Sequence, residues 1–169
     1  DEPSHSDPVA DLADAGVDAF INLSASPYEI RKYNRRQDLV RRHVEQHGKP
    51  FVFVNQVGGN DDLVFDGNSF VVDSAGQVRQ QLPAFESHLS FVELDDLETS
   101  GQSAVPRDEV TMASPSHEGE MLDALVLGLR DYMGKCGFSD CVLGLSGGID
   151  STLACYIAAK AIGPDHVHG

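Results

Sequence analysis

The sequence predicts an α/β fold in two parts, and three observations carry that reading. Apolar runs of strand length alternate with helical spacing between residues 8 and 57. A second strand, glycine turn and helix follow one another from Cys141 to Ile162. Between these stretches, residues 95–116 lose all periodicity and fill with acidic residues, Thr, Ser, Gly, Pro and Gln, the composition of a linker. A chain of 169 residues that is 41% hydrophobic can build one domain or two small ones.

Residues 8–15 have Val9, Leu12 and Ala13 on one helical face, and Gly16 is placed to stop the helix. Residues 17–23 read as a strand. Ser26-Pro27 then has the form of a helix start, with Ser26 as N-cap and Pro27 at the first helical position. The buried stripe of that helix is Ile30, Tyr33, Val40 and Val44, with Leu39 at its edge. Arg31, Lys32, Arg35, Arg36, Arg41 and Arg42 make it strongly basic, and Gly48 and Pro50 end it. Residues 51–57 are almost continuously apolar, which predicts a strand buried on both faces. Residues 58–62 (G-G-N-D-D) read as a loop. Asp66-Gly67 and Gly76 are turns around short strands at 69–73 and 78–82, and a last strand is expected at 89–94.

The second part opens with a helix near Ser114, Pro115 at its first position and Glu118 and Glu120 at its positive end. Its predicted stripe is Leu122, Leu125, Leu129 and Tyr132, closed by Gly134 or Gly137. Val142, Leu143 and Leu145 then suit a buried strand. After Ser146-Gly147-Gly148-Ile149-Asp150-Ser151 comes a helix marked by Leu153, Ile157 and Ile162 and rich in Ala.

A strand that turns through two glycines into a helix leaves backbone N–H groups unpaired at the positive end of the helix dipole. Adjacent glycines let an anion approach the backbone, and Ser146, Ser151 and Thr152 add hydroxyl donors. No Lys follows the glycines, so the G-x-x-x-x-G-K-[ST] pattern is excluded, as is G-x-G-x-x-G. Asp150 would repel a phosphate unless a Mg²⁺ bridged the two. The bland alternative is a simple turn with Asp150 as a helix cap.

There are 12 Lys and Arg against 27 Asp and Glu, a formal charge of −15, which argues against nucleic acid or an anionic membrane as the main partner. Any phosphate site in this chain must therefore be local. Cys136, Cys141 and Cys155 form no C-x-x-C pair and no zinc-finger spacing, and read as buried thiols in a reducing cytoplasm, with Cys141 and Cys155 in the core beside the glycine turn. No apolar run reaches transmembrane length, and the first residues are unlike a signal peptide. The chain reads as cut at both ends, with only one strand–helix unit and a fraction of the next in its second part.

The hexapeptide S-G-G-I-D-S resembles the pyrophosphate loop of the ATP pyrophosphatase superfamily. Together with L-G-L-R-D-Y-M-G-K-C-G-F (127–138) it resembles NAD synthetases in particular. The resemblance implies the first units of a doubly wound parallel sheet. It also implies ATP held by Gly144, Leu145, Ser146, Gly147, Gly148, Ile149, Asp150 and Ser151, with Mg²⁺ on Asp150. In the first part, N-L-S-A-S-P-Y (22–28) and V-G-G-N-D-D-L-V-F-D-G-N-S (57–69) resemble the back half of a nitrilase-type glutamine amidohydrolase, an αββα sandwich. By that likeness Ser26 and Lys32 contact glutamine. The Glu, Lys and Cys of nitrilase chemistry lie upstream of the matched segment in that family, so no catalytic residue is assigned here and the piece alone is not expected to hydrolyse glutamine.

The domains implied are 1–96, a linker at 97–115, and 116–169. The implied function is ATP-dependent amidation of nicotinic acid adenine dinucleotide to NAD with ammonia from glutamine, through an adenylated intermediate, in a cytoplasmic homo-oligomer. The alternatives are a GMP or asparagine synthetase-like enzyme with the same loop, or an inactive binding module.

Overall fold

The computed structural model describes residues 7–98 and 116–169. The elements of the first part are α1 (Pro8–Asp14), β1 (Phe20–Ser24), α2 (Lys32–His47), β2 (Phe51–Asn55), β3 (Val57–Asn60), β4 (Leu63–Asp66), β5 (Phe70–Val72), β6 (Val78–Gln81) and α3 (Asp95–Glu98). The second part holds α4 (His117–Cys136), β7 (Cys141–Val142), α5 (Ile149–Ile162) and β8 (Val167–His168). The predicted helix start at Ser114-Pro115 lies outside the described residues. In the structure Ser116 caps α4, its hydroxyl accepting from Gly119 N–H at 3.1 Å.

Four strands form one sheet in the order β1-β2-β5-β6. β1 runs parallel to β2, which fits the crossover through α2, and the other two pairings are antiparallel. Phe20, Phe51, Phe53, Phe70 and Val72 from this sheet meet Val40 and Val44 of α2 in the core. The Phe53 and Phe70 rings stack with centroids 5.1 Å apart. Gly48 ends α2 in the left-handed region, its N–H on Val44 O at 2.7 Å.

Several expectations are corrected here. Strand 51–57 is not buried on both faces: β2 alternates, with Val54 40% exposed. Residues 58–60 are not loop but strand β3, paired antiparallel with β4 across Asp61-Asp62. Residues 89–94 form no strand, and Leu89 and Phe91 are exposed. Ile30 precedes α2 and is exposed, while Arg36 lies on its buried side. In α4 the buried residues are Ala124, Val126, Leu127 and Met133, whereas Leu125 and Tyr132 are exposed. The cause is the partner that α4 meets: it packs on the β3–β4 hairpin on one side and on α5 on another.

That docking is made by glycine. A Cβ on Gly59 would stand 3.0 Å from Gly128 Cα, tighter than ordinary contact, so the two backbones approach closely here. Gly59 N–H donates to Asp131 Oδ2 at 2.7 Å, and Lys135 Nζ donates to Gly59 O. After α4, the chain forms β7, crosses through α5 and returns as β8, parallel to β7. At the base of this pair, His166 Nδ1 and His168 Nε2 lie 3.3 and 3.1 Å from Asp140 Oδ1.

Two outcomes are expected. Gly59→Ala forces backbone against backbone and lowers stability by about 1–3 kcal/mol, read by denaturant titration. A substitution that leaves the midpoint unmoved would show that α4 is not seated there. Hydrogen bonds from Ser139, His168 and His166 hold the Asp140 carboxyl down to about 2, from an ordinary 3.8. Its contribution to stability is therefore complete above the ordinary value and is lost as pH falls towards 2. A carboxyl NMR titration giving a midpoint near 4 would rule the cluster out.

Candidate functional site

β1 and β2 end together, with Ser24 opposite Asn55 in the parallel register. The carboxyl ends of parallel strands are where open α/β sheets place ligands. The chain leaves β1 through Ala25-Ser26-Pro27-Tyr28, and the structure ties this turn down at several points. Ser26 N–H donates to Asn55 Oδ1 at 2.8 Å and Ser26 O accepts from Asn55 Nδ2 at 3.1 Å. Tyr28 N–H donates to Val64 O on β4 at 2.7 Å.

Ser26 is consequently not a helix cap. α2 begins at Lys32 with Arg31 at its N-cap, at φ 66°, and without a side-chain cap. The Ser26 hydroxyl is engaged instead by Arg36, whose Nε donates to Ser26 Oγ at 3.1 Å. The same guanidinium sends Nη2 to Ser26 O at 2.7 Å and to Pro27 O at 3.1 Å. Its Nη1 donates to both oxygens of Asp66 at 2.9 Å. Arg36 and Asp66 are both buried, and Asn68 Nδ2 adds a bond to Asp66 Oδ2 at 2.7 Å.

Lys32, the other residue assigned to glutamine, donates from Nζ to Glu29 Oε1 at 2.7 Å. That hydrogen bond holds the Glu29 carboxyl below its ordinary range. Ser26 and Lys32 therefore flank one short turn between β1 and α2, each with its own partner. Arg36 and Asp66 were not singled out in the sequence as site residues. The only local sign was an arginine at a position facing the stripe of α2.

The second region is the loop between β7 and α5. Strand pairing stops at Leu143, whose N–H donates to His168 O at 3.0 Å. Gly144 to Asp150 are exposed, and Ser151 is half-buried. Gly147 takes φ +81°, which favours glycine, and a Cβ there would meet nothing within 4 Å. Gly148 is the N-cap of α5 and brings no side chain to cap it, so the first N–H groups of the helix face solvent. The loop is closed by its own hydroxyls. Ser146 Oγ lies 3.3 Å from Ser151 Oγ, while Ser151 Oγ and Thr152 Oγ1 donate to Gly148 O at 3.0 and 2.9 Å. The hydroxyls thus brace the turn, and the uncapped N–H groups at the positive end of the helix form an open setting suited to phosphate.

Asp150 stands exposed in the first turn of α5. Among the described residues no three His, Cys, Asp or Glu side chains converge on a metal site. One carboxylate beside a phosphate cradle still suits Mg²⁺, which takes one or two carboxylates and completes its shell with water and substrate phosphate. Cys141 and Cys155 beside the loop are half-buried, not core thiols, and Cys136 is exposed.

Between the two regions lies a cavity of about 590 Å³ that the sequence reading did not foresee. Its walls include Tyr28, Val64, Ala124, Gly128, Leu129 and Ile157. It thus reaches from the turn after β1 to α5. The Tyr28 hydroxyl is buried without a hydrogen-bond partner among the described residues. Burial, with the Glu120 and Asp66 carboxylates adding, pushes that phenol above its ordinary value. Among the described residues, no helix is long and apolar enough to cross a membrane.

The carbon-nitrogen hydrolase family model matches residues 4–102, and the NAD synthase model matches residues 121–169. The chain is 44% identical to the glutamine-dependent NAD(+) synthetase of Synechocystis over 164 residues, 96% of this chain and 28% of that protein. It is equally 44% identical to the enzyme of the same description from Rhodobacter capsulatus, covering 97% of this chain and 29% of the relative. The solved structure of glutamine-dependent NAD+ synthetase from Acinetobacter baumannii, in complex with ADP, superposes with a TM-score of 0.78 at 37% identity. It covers 94% of this chain and 29% of that one. The chain thus spans less than a third of the length of these relatives. With more than half of its residues matched, it belongs to the carbon-nitrogen hydrolase family, joined to an NAD synthase-like segment as in the glutamine-dependent NAD(+) synthetases.

Proposed function

We propose that this chain forms the junction of a glutamine-dependent NAD(+) synthetase. Residues 1–96 belong to its glutamine amidohydrolase domain, 97–115 to a linker, and 116–169 to the start of its ATP-binding domain. The observation that carries this reading is the open S-G-G-I-D-S cradle at the uncapped start of α5, in the same chain as a carbon-nitrogen hydrolase sheet. The related Acinetobacter baumannii structure is a complex with ADP, which supports an adenine nucleotide as a ligand of the whole protein.

In the whole enzyme, Gly144 to Ser151 hold the ATP phosphates through N–H and hydroxyl groups. Asp150 would hold Mg²⁺, which would supply charge neutralisation for the leaving pyrophosphate. The nicotinate carboxylate of nicotinic acid adenine dinucleotide is adenylated, and ammonia displaces AMP to give NAD. Ser26 and Lys32 bind the glutamine that supplies the ammonia, and the cavity from Tyr28 to Ile157 supports transfer inside the protein. Small molecules are the partners, with neither nucleic acid nor membrane among them, in a cytoplasmic homo-oligomer.

The decisive assay is conversion of nicotinic acid adenine dinucleotide to NAD by the full-length polypeptide with ATP and glutamine. Amidation of xanthosine monophosphate or aspartate instead would move the protein to another enzyme with the same loop. Asp150→Ala is expected to abolish Mg²⁺-dependent ATP turnover while glutamine hydrolysis continues; unchanged ATP turnover would remove Asp150 from the metal site. Gly147→Ala strains a left-handed residue by about 1–2 kcal/mol, which predicts roughly tenfold weaker ATP binding. Calorimetry giving the wild-type affinity would show that this turn does not cradle the phosphates.

A further inference from the structure

Ser26 has a direction as well as a place. A serine hydroxyl offers one hydrogen and two lone pairs. Here one lone pair is taken by Arg36 Nε at 3.1 Å, so the hydroxyl hydrogen must turn away from the guanidinium. The backbone of Ser26 is pinned by Asn55 on both its N–H and its C=O, which leaves the hydroxyl little freedom to move. The guanidinium is fixed in turn. Its three nitrogens reach Ser26 Oγ, Ser26 O, Pro27 O and both Asp66 oxygens, so its whole fork is spent on this turn and the pair beneath it. A lysine has a single nitrogen and cannot make this set.

We propose that Arg36 is a positioning residue that makes Ser26 a hydrogen-bond donor towards the ligand, so that the site selects an oxygen acceptor of the substrate amino acid at this point. Asp66 keeps Arg36 in place and does not meet the ligand. This inference rests on the reading of Ser26 as a glutamine contact. It adds which partner sets the polarity of that contact, and therefore which kind of ligand atom Ser26 accepts as a neighbour.

The test is a double-mutant cycle in the full-length enzyme, with Ser26→Ala, Arg36→Lys and both together, reading KM and kcat for glutamine. Each single change is expected to raise KM about tenfold, with kcat altered by less than about threefold. Because Arg36 acts through Ser26, the double variant should be no worse than Ser26→Ala. Multiplying effects, near a hundredfold, would mean that Arg36 only supports the fold and would overturn the proposal. So would a wild-type KM in Arg36→Lys alongside a raised KM in Ser26→Ala, an outcome that leaves the glutamine reading intact. A wild-type KM in Ser26→Ala removes Ser26 from the site, and no use of glutamine at all overturns the functional reading itself. If Arg36→Lys does not fold, the neutral pair Arg36→Gln/Asp66→Asn replaces it in the cycle, with the same outcomes expected.

Discussion

The buried Arg36–Asp66 pair is the constraint on which the first part of the molecule depends. Removing two charges from water costs several kcal/mol per ion, and a pair recovers this only when the remaining donors and acceptors are also satisfied. Here they are. Asp66 receives Arg36 and Asn68, and Arg36 spends its other donors on the Ser26-Pro27 turn. The pair links α2 to β4, thirty residues apart in sequence. It thereby sets how the β3–β4 hairpin sits against the turn that follows β1. Breaking one side of such a pair costs about 3–5 kcal/mol, so geometry is held at the turn as firmly as anything in the apolar core.

From that hairpin the order passes to the second part. β4 takes the Tyr28 N–H on Val64 O, and its neighbour β3 presents Gly59 to α4. Glycine on both sides lets the helix lie close against the strand, and Asp131 and Lys135 then bond the N–H and C=O of the buried Gly59. α4 also packs against α5, with Arg130 Nε on Ala161 O at 3.4 Å. The Ser26 turn and the S-G-G-I-D-S loop are therefore connected by packed, hydrogen-bonded elements. Such contiguity is a physical route along which one site can constrain the other, although it does not by itself make a switch.

Much of the fold was legible because its signals are local. Gly48 and Gly137 stop helices in left-handed geometry, and the strand, glycine turn and helix around Ser146 to Ser151 are written in adjacent residues, although that strand is only Cys141–Val142 and is not buried, with Val142 and Leu145 exposed. What misled were local signals overruled from a distance. Ser26-Pro27 has the composition of a helix start, but Asn55, Val64 and Arg36 offer the turn more hydrogen bonds than a first helical turn can. Arg36 read as one of six cations on a basic helix, since nothing in spacing reveals a carboxylate thirty residues on. The G-G-N-D-D stretch read as loop because glycine weakens a strand, yet that same lack of side chain is what lets α4 dock there.

The acidity of the chain sharpens what the cradle must do. With a formal charge of −15, long-range attraction cannot gather a polyphosphate, so affinity has to come from groups within hydrogen-bond reach. The α5 terminus supplies such groups without any cationic side chain in the loop itself, and Gly147 supplies the bend that aims them. An exposed carboxylate at Asp150, set among those donors, is a liability for an anion and an asset for an anion carrying a divalent cation. On the proposed reading, the same residue that would weaken binding of bare phosphate would bias the loop towards a metal-complexed nucleotide. On that reading, selection at this end would come from charge balance, as selection at the Ser26 turn would come from the direction of a single hydroxyl.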